Sequence, residues 1–188
     1  MQKKINLLSL MGIITPIAGF FTIFISIYLH DWFSWSGNAL SDLGALGVQY
    51  ANVYNYGLIF TSILGLIFVI SLFSFLRHIV SRFGVLIFAV GLIFLIAVAV
   101  FPSGTSPHVM VSLSFFGFCA LGILLVGVGE SLEKSRLGYL SLALVTVGTP
   151  LAYLSAVRFT GAAIPEMVGV ICFSVFSISY ALKIYGSK

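Results

Sequence analysis

The residues of this sequence that could do chemistry gather in a polar segment, positions 34–47, between two long apolar runs. Asn38, Ser41 and Asp42 stand there within five positions, in a chain that has only 5 acidic residues. A hydroxyl beside a carboxyl group suits hydrogen bonding or proton transfer. An ionisable group at membrane depth is costly unless it is solvated or paired, so Asp42 marks a candidate site. The alternative is a solvated loop acid, with Ser41 forming a local hydrogen bond.

A histidine supplies a second candidate group. The segment 102–107 has the composition of a turn and places His108 at the start of an apolar run. An imidazole titrates near neutral pH and can act as a general base or a ligand; the alternative is an interfacial histidine bonded to a loop carbonyl. We predict Ser41, Asp42 and His108 as catalytic residues if the protein is an enzyme, a question that the sequence leaves open.

Arg158, Glu166 and Asn38 are the candidate binding residues. Glu166 follows a proline at the start of the last apolar run, where a carboxylate suits the helix dipole. Arg158 can bind a phosphate or carboxylate headgroup through two parallel hydrogen bonds. The alternative is an ion pair of Arg158 with Glu166 or Asp42 that locks the loops. We expect Asp42, His108, Arg158 and Glu166 to converge in one pocket.

The sequence has no pattern of metal or cofactor ligands. His30 and Asp31 are adjacent, and even with His108 they match no zinc-ligand spacing. A Walker loop, a dinucleotide fingerprint and a Cys-x-x-Cys motif are absent. Cys119 and Cys172 lie inside apolar runs and are interpreted as small core residues. We expect neither a bound transition metal nor a cofactor.

The elements that must position these residues are membrane-spanning helices. Hydrophobic residues make up 60% of the chain and charged residues 7%, whereas a soluble domain is roughly 25% charged. Backbone facing lipid must be hydrogen-bonded internally, and the alternation typical of strands is missing, so helices are predicted. The runs long enough to cross the ~30 Å hydrocarbon core are 6–29, 53–76, 83–101, 108–129, 137–157 and 164–184. We predict an all-α bundle of six transmembrane helices that forms a single domain over residues 1–188.

Two further features of the bundle follow from sequence. The connection 30–52 exceeds the 2–8 residues typical between helices, and we predict in it an amphipathic or re-entrant helix over 39–46, capped by Asn38. Its apolar stripe would comprise Leu40, Leu43 and Leu46. Glycines inside the apolar runs are expected to let helices pack closely; they are Gly57, Gly65, Gly91, Gly117, Gly122 and Gly148.

Basic residues predict the orientation of the bundle. With the N-terminus inside, the outer segments hold only Arg158, a strong positive-inside bias. The cytoplasmic segments would hold Lys3, Lys4, Arg77, Arg82, Lys134, Arg136, Lys183 and Lys188. Both termini of this multi-pass cell-membrane protein would then be cytoplasmic. The net charge of +4 reflects these anchors, so we expect membrane lipids and other membrane subunits as partners, and no nucleic acid.

The segment Asn38-Ala39-Leu40-Ser41-Asp42-Leu43-Gly44, together with Phe101-Pro102 and His108, resembles a family of archaeal and bacterial membrane proteins described as a domain of unknown function, number 998. The resemblance implies a compact helical bundle with an Asn-x-x-Ser-Asp-x-Gly-like segment after the first helix. The Ser-Asp pair is also similar to the Frag/DRAM/Sfk-type membrane family, which includes the GPI-remodelling factor. Neither resemblance implies an activity.

Three functions are compatible with these patterns. The first is a protein with an outward-facing polar pocket that binds or modifies a lipid or other amphiphile, and it predicts a closed polar pocket. The second is a small transporter, which predicts a polar path continuing to the inner face. The third is a non-catalytic structural or assembly subunit of a membrane complex, which predicts a large apolar side face and no pocket.

Overall fold

The apolar runs form helices in the computed structural model, which describes residues 2–187 and, for residues 2–5, the backbone only. The helices are α1 (Gln2–Ser9), α2 (Met11–Tyr28), α3 (Ala51–Phe75), α4 (Ile79–Val100), α5 (His108–Leu132), α6 (Arg136–Arg158) and α7 (Ala163–Gly186). Six spans are long and apolar enough to cross a membrane, because α1 and α2 together provide the first, Asn6–Tyr28. This confirms the predicted all-α fold with six spans. Lys188 and the side chains of Lys3 and Lys4, used in the orientation prediction, lie outside the described part.

The two ends of the described chain lie side by side. The Asn6 side-chain amide donates to the Ser187 backbone oxygen over 2.9 Å, as expected when an even number of spans returns the chain to its starting face. This end of the bundle also carries the short connections 76–78 and 133–135. The opposite end, called here the loop end, carries the connections 29–50, 101–107 and 159–162. The candidate residues of the sequence all belong to the loop end.

Helix packing is uneven around the bundle. The most extensive contact joins α4 and α5, where a Cβ added at Gly122 would lie 2.6 Å from the Phe88 backbone nitrogen. Only glycine permits this backbone-to-backbone approach. In contrast, α6 packs mainly on α5 and α7, and only Gly138, Ser141 and Gly148 of its residues are buried. The bundle is therefore closed on the α4 side and open on the α6 side.

The helix predicted for 39–46 is wrong in length and type. The segment forms a 3-10 helix of five residues, Leu40–Gly44, which ends because Ala45 has an extended backbone. Leu40 and Leu43 are buried as predicted, but Leu46 is 63% exposed. The Leu46 N–H instead donates to the Ser103 carbonyl oxygen over 3.0 Å, which ties this segment to the next loop.

The predicted cap is also wrong. Asn38 lies one residue outside the cap position, which is Ala39, and its Oδ1 accepts a hydrogen bond from the Ser34 N–H over 2.9 Å. The carboxylate of Asp42 accepts from the Ala39 N–H over 2.9 Å. The acid inside the first turn, rather than the amide before it, therefore satisfies the free backbone donor.

Candidate functional site

The three connections at the loop end are bonded into one layer, called here the loop layer (29–50, 101–107 and 159–162). Backbone hydrogen bonds run from the Gly161 N–H to the Ser36 oxygen over 2.9 Å and from the Ala163 N–H to the Asn38 oxygen over 2.8 Å. Gly161 packs so closely on Asn38 that a side chain there would meet backbone atoms. Residues that are distant in sequence are thereby held together above the helix ends.

The Asp42 carboxyl group accepts hydrogen bonds from two connections of this layer. Its Oδ1 accepts from the Ser103 hydroxyl over 3.1 Å, and its Oδ2 accepts from the Ala39 N–H and, over 3.4 Å, from the Asn38 amide. These donors come from two different connections, so the half-buried carboxyl group joins the connections without a cation. Since its oxygens are already occupied, Asp42 is better suited to hold the loop layer together than to transfer a proton.

His108 and Ser41 form the contact with the most evident chemistry. The side chains are buried, and His108 Nε2 lies 3.0 Å from Ser41 Oγ and 3.3 Å from Ser112 Oγ. His108 Nδ1 lies 2.8 Å from the Phe101 carbonyl oxygen. Because a carbonyl oxygen only accepts, Nδ1 carries a hydrogen, and Nε2 of the neutral ring is the acceptor that faces both hydroxyls. Ser112 was missed in the sequence, although it stands four residues after His108 on the same face of a helix.

Glu166 lies beneath the 3-10 helix in the first turn of α7. Its Oε2 accepts from the Leu40 N–H over 2.6 Å. Among the described residues, no hydrogen bond reaches the other carboxyl oxygen, Oε1. Glu166 is thus joined to the same short helix that carries Ser41, as expected for a shared site, and it retains a free acceptor.

Arg158 does not join the cluster, and the predicted ion pair is wrong. The side chain is exposed at the end of α6 and pairs with no acid within residues 2–187. The physical reason is that backbone and hydroxyl donors already satisfy Asp42, while Glu166 is bonded under the 3-10 helix. A cation at the C-terminal end of a helix is favourable by itself, through the helix dipole.

His30 takes part in the loop layer in another way. Its ring nitrogens lie 2.6 Å from the Ser26 and Gln49 carbonyl oxygens, so it joins the two ends of the long connection. Asp31 is exposed beside it. Across residues 2–187, no group of three or more His, Cys, Asp or Glu side chains is arranged to hold a metal ion.

Two cavities adjoin the cluster. An interior cavity of about 110 Å³ lies between α2, α3, α4, α5 and α7, and its polar lining at the loop end includes Ser41, Ser112 and Glu166. A lateral groove of about 520 Å³ lies between α5, α6 and α7. Ser112 and Glu166 line both spaces, as do Phe116 and Phe173, whose ring centres are 6.0 Å apart. Two aromatic rings and two polar groups therefore separate the interior from the membrane-facing groove.

The lateral groove is long, narrow and apolar. On α5 it extends from Ser112 to Ile123, about 17 Å at 1.5 Å per residue. Small residues on the facing helices leave this space; they are Gly117, Ala120, Gly148, Ala152, Ala156 and Gly169. The expectation that Gly117 brings helices together is wrong, because a Cβ added there would meet no atom within 4 Å. Ser112 and Glu166 lie at the loop end of the groove, and the other hydroxyl groups of its lining are those of Thr149 and Tyr153 on α6.

The comparisons with known proteins give a family. The family model described as protein of unknown function (DUF998) matches residues 13–183, which confirms the resemblance predicted from the Asn38–Gly44 segment. The matched stretch begins in α2 and ends in α7, so it includes every residue of the candidate site. No curated protein and no solved structure matches the chain. The function therefore has to be argued from the geometry.

Proposed function

We propose that this chain, which belongs to the DUF998 family, binds a single-chain amphiphile in the lateral groove between α5, α6 and α7. The apolar tail lies along the groove, and the polar group lies at Ser112 and Glu166. One observation carries the proposal: apart from Thr149 and Tyr153 on α6, the groove is apolar over its length, and its carboxyl group, Glu166, lies with Ser112 at the end where the groove meets the buried Ser41–His108 pair. An amphiphile has the same distribution of polarity.

The dimensions of the groove support a lipid tail. Its length of about 17 Å is close to half of the ~30 Å hydrocarbon core, which is the depth of one leaflet. The groove faces the membrane beside α6, so a tail can enter from the bilayer without crossing the loop layer. A purely structural subunit does not require such a cavity, and the lining offers no polar path past Ile123 and Leu144 for a transported ion.

A native cysteine provides the test. Cys172 lines the groove, whereas Cys119, the other cysteine of the chain, is fully buried and lines neither cavity. In the full chain in lipid nanodiscs, an apolar maleimide should label Cys172, and a long-chain primary alcohol should slow the labelling in a saturable way. Cys172→Ala identifies the labelled site. An unchanged rate at Cys172 up to the solubility limit of the alcohol would refute amphiphile binding in the groove.

A second candidate function rests on the Ser41–His108 contact. We propose that the pair cleaves or transfers an ester-linked acyl group. Ser41 Oγ attacks the carbonyl carbon while His108 Nε2 takes the hydroxyl proton and returns it to the leaving alcohol; water or another alcohol then releases the acyl group. The 3.0 Å contact and the Nδ1–H bond to Phe101 provide the required direction of proton transfer.

A fluorophosphonate probe distinguishes this activity from binding alone. The probe should modify Ser41 in the purified protein, and Ser41→Ala should remove the label. Ser112→Ala is the matched control, because Ser112 contacts the same nitrogen from 3.3 Å but is not the proposed nucleophile. Intact protein mass that shows no adduct on Ser41 would exclude the nucleophilic role and leave amphiphile binding untouched.

We also propose that the loop layer faces outside and both termini face the cytoplasm of the cell, from the positive-inside bias of the sequence. In a variant without native cysteines, a cysteine at Ser36 or Thr105 should react with an impermeant thiol reagent on intact cells. A cysteine at Ser135 should react only after lysis, and its labelling on sealed cells would reverse the orientation.

A further inference from the structure

The polar end of the groove has a carboxyl group and hydroxyl groups but no basic side chain. The polar side chains that line the two cavities towards this end are Ser41, Ser112, Glu166 and the phenols of Tyr54 and Tyr153. Within residues 2–187, no lysine or arginine lines either cavity, and Arg158 is exposed at the end of α6. A carboxyl group carries no positive charge in either protonation state. The site therefore lacks the guanidinium or ammonium groups with which proteins usually bind phosphate.

The Glu166 carboxyl group offers a free hydrogen-bond acceptor at the polar end of the groove. Glu166 Oε1 receives no hydrogen bond within the described part of the chain, whereas Oε2 is held by the Leu40 N–H. Ser112 Oγ lies 3.3 Å from His108 Nε2, a nitrogen that Ser41 Oγ contacts at 3.0 Å, so the Ser112 hydroxyl can both donate to a ligand and accept from it. A carboxyl oxygen that faces an apolar groove without a donor is unfavourable, and an ionisable group within a membrane is usually paired. The missing donor is then supplied by what occupies the groove.

From this we infer that the polar group of the bound amphiphile is a hydrogen-bond donor, an amine or a hydroxyl, and not a phosphate. The inference rests on the proposed function and adds the chemical class of the ligand. An ammonium offers three donors and a hydroxyl one, and both fit Glu166 Oε1 and Ser112 Oγ. A phosphate monoester carries a charge of about −1.5 to −2 and would lie beside Glu166 with no cation to offset the repulsion.

The experiment compares three probes that share one saturated chain and differ only in the polar group: a primary amine, a primary alcohol and a phosphate monoester. Each is titrated against the full chain in nanodiscs, with protection of Cys172 from the apolar maleimide as the readout. The amine and the alcohol should protect, and the phosphate should need at least about tenfold more. Because Cys119 is fully buried, labelling of Cys119 in the presence of a probe would show that the probe perturbs the protein.

Two variants test whether Glu166 determines the preference among the three probes. Glu166→Gln keeps an oxygen for the Leu40 N–H but removes the acid, so any preference for the amine over the alcohol should fall by about tenfold, the range of a charge-assisted bond. Arg158→Gln is the matched control and should change the affinity for none of the three probes, because Arg158 lines neither cavity.

The possible outcomes separate the inference from the function it rests on. If the phosphate protects as well as the alcohol, the inference is overturned while amphiphile binding stands, and weaker phosphate protection in Arg158→Gln would then identify Arg158 as its ligand. If none of the three probes protects Cys172, the proposed function fails. If Glu166→Gln does not fold, the order of the three probes on the unchanged protein still decides the chemical class.

Discussion

The α4–α5 interface and the surroundings of α6 differ in how closely the helix backbones approach each other. Each contains a glycine facing one of the two cysteines of the chain, Gly91 opposite Cys119 and Gly148 opposite Cys172. A Cβ added at Gly91 would lie 2.5 Å from Cys119 Sγ and 2.8 Å from the Cys119 backbone nitrogen. One added at Gly148 would lie 2.5 Å from Cys172 Sγ and 3.7 Å from Cys172 Cβ, and within 4 Å it would meet no backbone atom of another helix.

The difference shows that a glycine inside a membrane helix does not by itself determine how close the helices come. Lipid is as apolar as the side chains, so helices approach where backbone can pack on backbone. This occurs where glycines face one another across the interface, as Gly84 faces Gly122. Gly117 of the same helix α5 has no such partner, and the space in front of it belongs to the lateral groove.

The largest expected effect comes from breaking the closed interface. Gly122→Leu puts a side chain against the Phe88 backbone nitrogen and the Gly84 carbonyl oxygen, neither of which can move without displacing α4. The free energy of unfolding should fall by more than about 3 kcal/mol, the upper range for overpacking. Equilibrium unfolding in mixed micelles measures it. Stability like that of the parent protein would show that the two backbones are not held this close.

The second prediction concerns a variant whose new side chain fills part of the lateral groove on the open side of the bundle. Gly117→Leu places its side chain in empty space, so stability should change by less than about 0.5 kcal/mol, while protection of Cys172 by the long-chain alcohol should weaken at least tenfold. Gly186→Leu is the matched control, because an added Cβ there also meets nothing within 4 Å and the residue lies outside the groove. Unweakened protection in the Gly117 variant would mean that the ligand does not occupy the groove.

The same comparison explains what could be predicted from the sequence. Hydropathy alone determines the six spans, because each helix must satisfy its own backbone in lipid. Scarce polar groups near one membrane face also led us to expect that Asp42, His108, Arg158 and Glu166 converge. The first, second and fourth of these bond within or to the segment 39–42, whereas Arg158 does not. The role of Gly117 was not predictable, because it depends on which residue of another helix lies opposite.

The errors at the loop end have a related cause. Arg158 was expected to pair with an acid because it is the only basic residue predicted for that face. The carboxyl groups of Asp42 and Glu166 bond to backbone and hydroxyl donors instead, which come from the tertiary arrangement of the loops. A charge count records formal charges and omits the N–H groups that a 3-10 helix leaves free.

The smallest expected effect distinguishes the two cysteine-facing glycines. Gly148→Ala should cost no more than about 1 kcal/mol, because its only close neighbour is a side-chain sulfur that can rotate or be removed. Adding Cys172→Ala should restore most of that loss. At the closed interface, Gly91→Ala should cost about 1–3 kcal/mol, and Cys119→Ala should restore less than half, since the backbone nitrogen at 2.8 Å remains.

Two double-mutant cycles measure this difference as coupling energies, each from the parent, two single variants and the double variant. The cycle removes the intrinsic cost of each cysteine replacement, which matters because Cys119 is fully buried and Cys172 is not. The coupling between Gly148→Ala and Cys172→Ala should account for most of the stability lost in Gly148→Ala. The coupling between Gly91→Ala and Cys119→Ala should account for less than half of the stability lost in Gly91→Ala. Equal fractional coupling in both cycles would mean that side chains alone limit both contacts, and that α4 and α5 are not in backbone contact.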